Sequence, residues 1–228
     1  MAVSGDFAFL RDLIGRGLVA GPVLEVGSRA WQGEAGNARR ECESAGIAWE
    51  GTDIADGPGV DFVLDILDSS AVTAVGRRWP SVLLFNLLEH VYDPIRALEN
   101  AMSLVAPGGV AVVVGPAVWQ LHDYPRDYWR PMPDFYTEFA ERNGHEVVDE
   151  AVVWIVEGRP VPVGRFTRDG QKKLPSISRP GVFEVWGRPS AYWSRAVHAA
   201  LRTVGRRTPY PDTGLGVVIR KTAPPPLP

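Results

Sequence analysis

The chain carries one cysteine, Cys42, in 228 residues. That excludes an internal disulfide and a thiolate-built metal site, and the flanking Glu41 and Glu43 disfavour a thiolate at Cys42 itself. No apolar run reaches membrane-spanning length, so no membrane segment is expected. The opening MAVSGDFAFLRDLIGRG contains acids and lacks a basic lead with an apolar centre and cleavage site; it does not read as a signal peptide, and a cytoplasmic location is expected. The four histidines (His90, His122, His145 and His198) show no ligand spacing, so no metal is expected. Net charge is only −3, yet it is unevenly placed: through Glu157 acids outnumber Lys and Arg 24 to 11, and from Gly158 onward they are outnumbered 3 to 13. Two parts docked by complementary charge would account for this, as would a basic lid that attracts an anionic substrate. The later basic residues are scattered among Pro and Gly without a nucleic-acid-binding motif, which argues against a nucleic-acid partner. No internal repeat is visible.

What is present is a repeated change of hydrophobic period. DFAFLRDLIGRGLV has helical spacing and is stopped by Gly21-Pro22 before a first strand, PVLEVG. EAGNARRECESAG reads as a helix ending at Gly46, and IAWEGTDIA as a second strand ending at Asp53. VDFVLDIL gives a short third strand, SSAVTAVGRRW a helix with Ser caps, and PSVLLFNLLEHV a fourth strand, apolar almost throughout as a strand buried on both faces should be. DPIRALENAMSLVAPGG is a helix opened by Asp93-Pro94 and closed by Pro107-Gly108, followed by VAVVVGP as a fifth strand. MPDFYTEFAERNG is a further helix and HEVVDEAVVWIVEG a sixth strand. This alternation predicts an α/β fold with a mostly parallel sheet and helices on both faces. The expected organisation is a core over residues 1–157, a basic Pro/Gly-rich lid or insertion with one helix over 158–213, a last core strand over 214–222, and a disordered tail over 223–228.

In open α/β sheets ligands sit beyond the carboxyl ends of the strands. Those ends read Glu25-Val26-Gly27, Asp53, Asp65, Asn86 to His90, and Gly115-Pro116. Gly33 precedes Asp53 by twenty residues, a separation that suits an acid gripping two ribose hydroxyls of an adenosine. The first loop, VLEVGSRAWQG, has Arg29 where a dinucleotide site needs a glycine for backbone to approach a pyrophosphate. S-adenosylmethionine has no phosphate, so Gly27 can suffice for close approach, and the acidic Glu25 beneath the loop suits a positively charged amino group.

VLEVGSRAWQG, GTDIADGPGVDFVLDILD, LLEHVYDPIRALENAMSLVAPGG and HDYPRDYWRPMPDFYTEFAERNGHEVVDE, in this order and spacing, resemble the Rossmann-like class I S-adenosylmethionine-dependent methyltransferases, especially those acting on small molecules. The match covers roughly residues 20 to 157, with LEHV and PGG its more specific blocks. The resemblance implies a seven-stranded sheet whose last strand, GLGVVIRKT, is antiparallel. It also implies a cofactor site of Glu25, Gly27, Ser28, Arg29, Asp53, Ile54, Asp65, Ile66, Asn86 and Leu87. Within it Glu25 and Gly27 lie by the methionine end, Asp53 holds the ribose, Asp65 with Ile66 reads the adenine amine and ring edge, and Asn86 lies near the methyl group or methionine tail. The sequence departs from the family pattern at Ser28 and Arg29, which replace glycines, and at Asn86, where an acidic or hydroxyl residue is common. Asp65 also reads as a cap or turn residue.

Methyl transfer needs a nucleophile held near attack distance and a group to take its proton. His122, in QLHDYPRDYW, follows the fifth strand among aromatic residues and cations and is the candidate base, with Tyr128 and Arg130 as its companions; a packed connection covering the sheet edge is the structural alternative. His90 in LEHV reads as a core or supporting residue. Arg126, Arg130 and Arg165 would suit a carboxylate or phosphate-like group on the acceptor. No Asn-Pro-Pro-aromatic run follows the fourth strand, which lowers a DNA or glutamine acceptor. The expected activity is methylation of an oxygen or nitrogen of a small metabolite, by a monomer or homodimer. A nicotinamide oxidoreductase, or a non-catalytic cofactor-binding protein on the same fold, stands as the rival.

Overall fold

The computed structural model describes residues 4–30, 37–119, 121–122, 126–156, 159–162 and 213–222. The helix expected in SAYWSRAVHAALRTVG, most of the basic segment with Arg165, and the tail 223–228 lie outside the described residues. A nine-stranded sheet forms the centre, in the order β3-β2-β1-β4-β5-β9-β7-β8 with β6 also paired to β9. Its strands are β1 (Val23–Val26), β2 (Trp49–Asp53), β3 (Phe62–Val63), β4 (Trp79–Phe85), β5 (Val105–Val118), β6 (Glu146–Val147), β7 (Val153–Val156), β8 (Arg159–Pro162) and β9 (Thr213–Arg220). β1 to β5 run parallel, and β9 pairs antiparallel with β5, as expected for the last strand.

Residues on alternate sides of each strand enter two separate cores, the consequence of a period of two. On one face Leu24, Val82, Leu84, Val113 and Val217 pack against α3 (Ser69–Ala74), α4 (Pro94–Leu104) and α5 (Pro133–Arg142). On the other Val23, Leu83, Val112, Val114 and Val218 pack against α1 (Ser4–Gly15) and α2 (Arg39–Ser44). α1 lies so close to β9 that a Cβ on Gly216 would stand 2.6 Å from Cε1 of Phe9, so only glycine admits this packing. Cys42 is wholly buried on α2, and burial above all, with Glu25, Glu41 and Glu43 nearby, pushes its thiol up to about 12, in keeping with the reading that it forms no thiolate.

The sheet exceeds the seven strands expected for two reasons. HEVVDEAVVWIVEG does not form one strand; a short 3-10 turn at Asp149–Ala151 splits it into β6 and β7, both on β9. Residues 159–162, expected as the start of the lid, instead fold back on β7, pairing Ile155 with Pro160 and Val153 with Pro162. Two prolines are tolerated there because β8 is an edge strand, where a missing N–H leaves no neighbour unsatisfied and discourages further pairing. Two helix ends also differ. The α3 cap is Asp68 rather than a serine, its carboxylate accepting from the amides of Ser70 and Ala71 at 2.9 and 3.1 Å. α4 stops at Leu104, ahead of Pro107, and Lys221 Nζ donates to the carbonyls of Met102 and Val105 at its end.

Candidate active site

Gly27 leaves β1 with φ +81°, and a Cβ there would stand 3.1 Å from Cδ1 of Leu87, so the turn needs glycine and brings the tips of β1 and β4 together. Ser28 is buried, and its hydroxyl is 2.7 Å from the carbonyl of Gly59 and 3.3 Å from that of Thr52; it fastens the loop rather than facing outward. The loop problem posed by Arg29 is resolved by orientation. Its side chain lies across Gly57, where a Cβ would be 2.8 Å from Nε, while its backbone amide donates to Asp53 Oδ2 at 3.2 Å. Asp53 is thus half-buried at the end of β2, and Ile54 beside it is 68% exposed, a large apolar side chain open to a ligand. β3 pairs with the end of β2 and places Asp65 and Ile66 next along the same edge. Asp65 Oδ1 accepts from the amide of Leu67 at 2.8 Å, a turn contact, and the buried Ile66 is held through its carbonyl by Asn100 Nδ2 at 2.6 Å.

Glu25 does not stand open at the loop. It is buried, and Oε2 accepts from the amide of Ala38 at 2.7 Å and from Trp49 Nε1 at 2.9 Å, tying β1 to the start of α2 and to β2. Burial pushes its carboxyl up to about 7 against the opposing pull of those two donors. Asn86, just past β4, takes φ +50°, which asparagine tolerates better than most residues. Its Nδ2 donates to Asp6 Oδ2 at 2.9 Å, so the first turn of α1 reaches the strand tips, a contact that nothing in the sequence pattern announced.

The chain then makes a 3-10 turn at Leu88–His90, onto which residues 126–130 are stitched. His90 Nδ1 lies 2.7 Å from the carbonyl of Arg126, the amide of Tyr128 donates to the carbonyl of Glu89 at 2.7 Å, and Trp129 Nε1 donates to the carbonyl of Val91 at 3.0 Å. A carbonyl can only accept, so His90 carries its proton on Nδ1 and keeps the lone pair on Nε2. His122 stands edge-on to His90, ring centroids 5.0 Å apart, with Nδ1 3.1 Å from Asp127 Oδ2. Asp127 is clamped by both guanidinium nitrogens of Arg130, which, as the main cause, holds its carboxyl down at about 2. Burial, the largest influence on it, lowers the pKa of His90.

Glu89 completes the cluster. Its side chain is 1% exposed, neither carboxylate oxygen has a hydrogen-bond partner among the described residues, and burial pushes it up to about 7. Single ligand atoms of Glu89, His90 and His122 all lie within 4.8 Å of one another, a group that could hold a metal ion, although their sequence separations gave no such sign. Of the expected companions of His122, Arg130 is committed to Asp127 rather than held for an acceptor anion, and Tyr128 packs edge-on against Tyr92 with its hydroxyl 3.4 Å from Arg126 Nη1. Glu89 and Asp127 were missed by the sequence reading, although both lie in the two blocks, LEHV and HDYPRDYWR, that it singled out.

No family model matches the chain. The ubiquinone biosynthesis O-methyltransferase of Dinoroseobacter shibae is 28% identical over 158 residues, 60% of this chain and 58% of that protein, so the match spans little more than half of the relative's length. A methyltransferase dependent on S-adenosylmethionine from Archaeoglobus fulgidus superposes with a TM-score of 0.55 at 16% identity, covering 94% of this chain and 92% of that one. The [4+2]-cyclase SpnF superposes at 0.51 with 16% identity over 94% of this chain and 81% of its own, so this architecture also serves a different reaction. Strand order, the antiparallel β9, the Gly27 turn and these matches agree: the chain has the Rossmann-like fold of the class I S-adenosylmethionine-dependent methyltransferases.

Proposed function

We propose that the protein is an S-adenosylmethionine-dependent methyltransferase acting on a hydroxyl of a small acceptor. The observation that carries this reading is the placement of Asp53, hydrogen-bonded to the Arg29 amide at the open ends of β1 and β2, with the His122 cluster past the ends of β4 and β5. In this reading Asp53 takes the ribose hydroxyls, Ile54 and Ile66 flank the adenine, Asp65 meets its amine, and Gly27, Asn86 and Leu87 border the methionine end. Ser28 and Arg29 contribute backbone, and Glu25 acts from below by holding the loop to α2. Bound S-adenosylmethionine supplies a methyl group on electron-poor sulfur, so that the acceptor oxygen takes the methyl and the C–S electron pair stays on sulfur.

The chain's own part is to position the oxygen and receive its proton. His122, oriented by Asp127, presents Nε2 for that proton, while the aromatic side chains of Tyr92, Tyr128 and Trp129 offer an apolar wall to the acceptor. Calorimetric titration with S-adenosylhomocysteine tests the reading. One equivalent should bind, Asp53→Ala should weaken it at least tenfold, and His122→Ala should leave it within about twofold while slowing turnover. Binding of NAD in preference to S-adenosylhomocysteine would overturn it.

A further inference from the structure

We propose that Asp6, in the first turn of α1, is the counter-charge for the cationic end of S-adenosylmethionine, acting through Asn86 at the tip of β4. The inference rests on the methyl-transfer reading and deepens it, since it names an acid that answers the charge on the cofactor. The observation behind it is one hydrogen bond between distant parts of the chain. Asn86 Nδ2 donates to Asp6 Oδ2 at 2.9 Å across 80 residues of sequence, and Asp6 is only 2% exposed. An acid in the first turn of a helix gains from the helix dipole while it stands in water, so that service gives no reason to bury it. This one is buried and bonded to the end of a strand, where a carboxylate is costly unless positive or protic groups surround it.

The neighbouring groups leave that task open. Glu25 on β1 commits Oε2 to the Ala38 amide and the Trp49 indole, and burial pushes its carboxyl up to about 7, so at neutral pH it carries only part of a negative charge. Asn86 is itself neutral. Its position nevertheless suits a cation at the methionine end. The Asn86 amide is bonded to the carbonyl of Val114 at 2.7 Å, its φ of +50° turns the chain out of β4, and Leu87 beside it closes on the Gly27 turn at the end of β1. Asp6 therefore stands behind the junction of the two strand tips, one hydrogen bond away from the proposed ligand.

The consequence is a site that weighs substrate against product by charge. S-adenosylmethionine bears an ammonium and a sulfonium against a single carboxylate, a net positive charge; S-adenosylhomocysteine has lost the sulfonium charge and is neutral overall. A fixed carboxylate behind Asn86 attracts the first more than the second, and over several ångströms in a half-buried site one charge is worth about a power of ten in affinity. Asp6 is thus a positioning residue. It holds the Asn86 amide and sets the field around it, and takes no part in proton transfer.

The test is calorimetric titration of the full chain with S-adenosylmethionine and, separately, with S-adenosylhomocysteine. Asp6→Asn keeps an oxygen for the Asn86 amide and removes the charge; it should weaken S-adenosylmethionine about tenfold and leave S-adenosylhomocysteine within about threefold. Exchanging the pair, Asp6→Asn together with Asn86→Asp, returns the charge to the other end of the same hydrogen bond at a position whose left-handed backbone aspartate also tolerates, and should recover most of the lost affinity. Circular dichroism establishes that each variant is folded, and Asp6→Ser reads the same ratio should Asp6→Asn not fold. If both ligands weaken alike, if neither weakens, or if the exchanged pair recovers nothing, Asp6 is a structural tie and the inference is overturned. The wild-type protein separates this from the reading beneath it: binding of neither ligand overturns methyl transfer itself, whereas binding of both, with a ratio that Asp6→Asn does not move, overturns only the counter-charge.

Discussion

The carboxylate of Asp127 holds His122 twice, at Nδ1 at 3.1 Å and at the backbone amide at 3.0 Å, while Arg130 closes on its other side. Ring orientation and loop position of His122 therefore both draw on this one acid. Asp127→Asn removes the charge that orders the imidazole and keeps the shape. Turnover should fall between about 10-fold and 100-fold, since a misplaced group costs rate far more than affinity. S-adenosylhomocysteine affinity should stay within twofold and Asp127→Glu should recover part of the rate; a loss of affinity matching the loss of rate would show that Asp127 is only a structural tie.

Glu25 makes stability depend on pH with a definite sign. Its folded carboxyl titrates at about 7 against an ordinary 4.5, raised by burial, so its contribution is intact below pH 4.5 and is lost as pH rises through 7. Glu25→Gln keeps an acceptor for Ala38 and Trp49 without the buried charge. The variant should be more stable than the wild type above pH 7, by at most about 3 kcal/mol, and the two should converge near pH 4. Urea unfolding at both pH values measures this; a difference independent of pH would show that Glu25 is not the titrating group.

Asn100 joins a core helix to the expected adenine edge by donating to the carbonyl of Ile66 at 2.6 Å. Asn100→Ala leaves that buried carbonyl without its donor and should destabilise the protein by about 1–3 kcal/mol. It should also weaken S-adenosylhomocysteine more than it weakens S-adenosylhomocysteine binding in a variant lacking Asp65, because Ile66 is then free to shift. Additive effects of the two substitutions would separate Asn100 from the site.

Asn86 combines a left-handed backbone with a side-chain contact to Asp6, and two substitutions divide these roles. Asn86→Gly keeps the conformation and loses the contact; Asn86→Ala loses both. The alanine variant should unfold more readily by about 1 kcal/mol, the cost of a Cβ in that region. Ligand affinity should fall alike in both, as read by calorimetry, if the amide rather than the backbone serves the methionine end.

Much of the scaffold was legible because apolar runs such as VLLF and VAVVV, separated by helices with marked ends, admit few arrangements. Asp53 and Gly27 were legible for the same reason, standing at strand ends where the topology puts ligands. The division of HEVVDEAVVWIVEG was not, because a single 3-10 turn at Asp149–Ala151 interrupts a stretch whose hydrophobic pattern continues through it. The use of Glu25 was hidden too: its partners, the Ala38 amide and the Trp49 indole, are set by how α2 and β2 pack, and an acid beneath a loop looks the same in sequence whether it faces a ligand or a backbone amide. Glu89, His90 and His122 show the general limit, since 32 residues separate the two histidines and only the crossover between β4 and β5 sets them edge to edge.

The stitching of residues 126–130 onto the turn after β4 has a consequence for engineering. Asn86 and Leu87 border the proposed cofactor, and Glu89, His90 and Val91 just beyond them anchor the segment proposed to face the acceptor. In the proposed function one short ribbon of backbone thus serves both substrates. Retargeting the proposed activity to a new acceptor should leave that ribbon alone, with the Trp129 indole that holds it, and vary the outward rings of Tyr92 and Tyr128, where chemistry can change without disturbing the neighbour it shares a wall with.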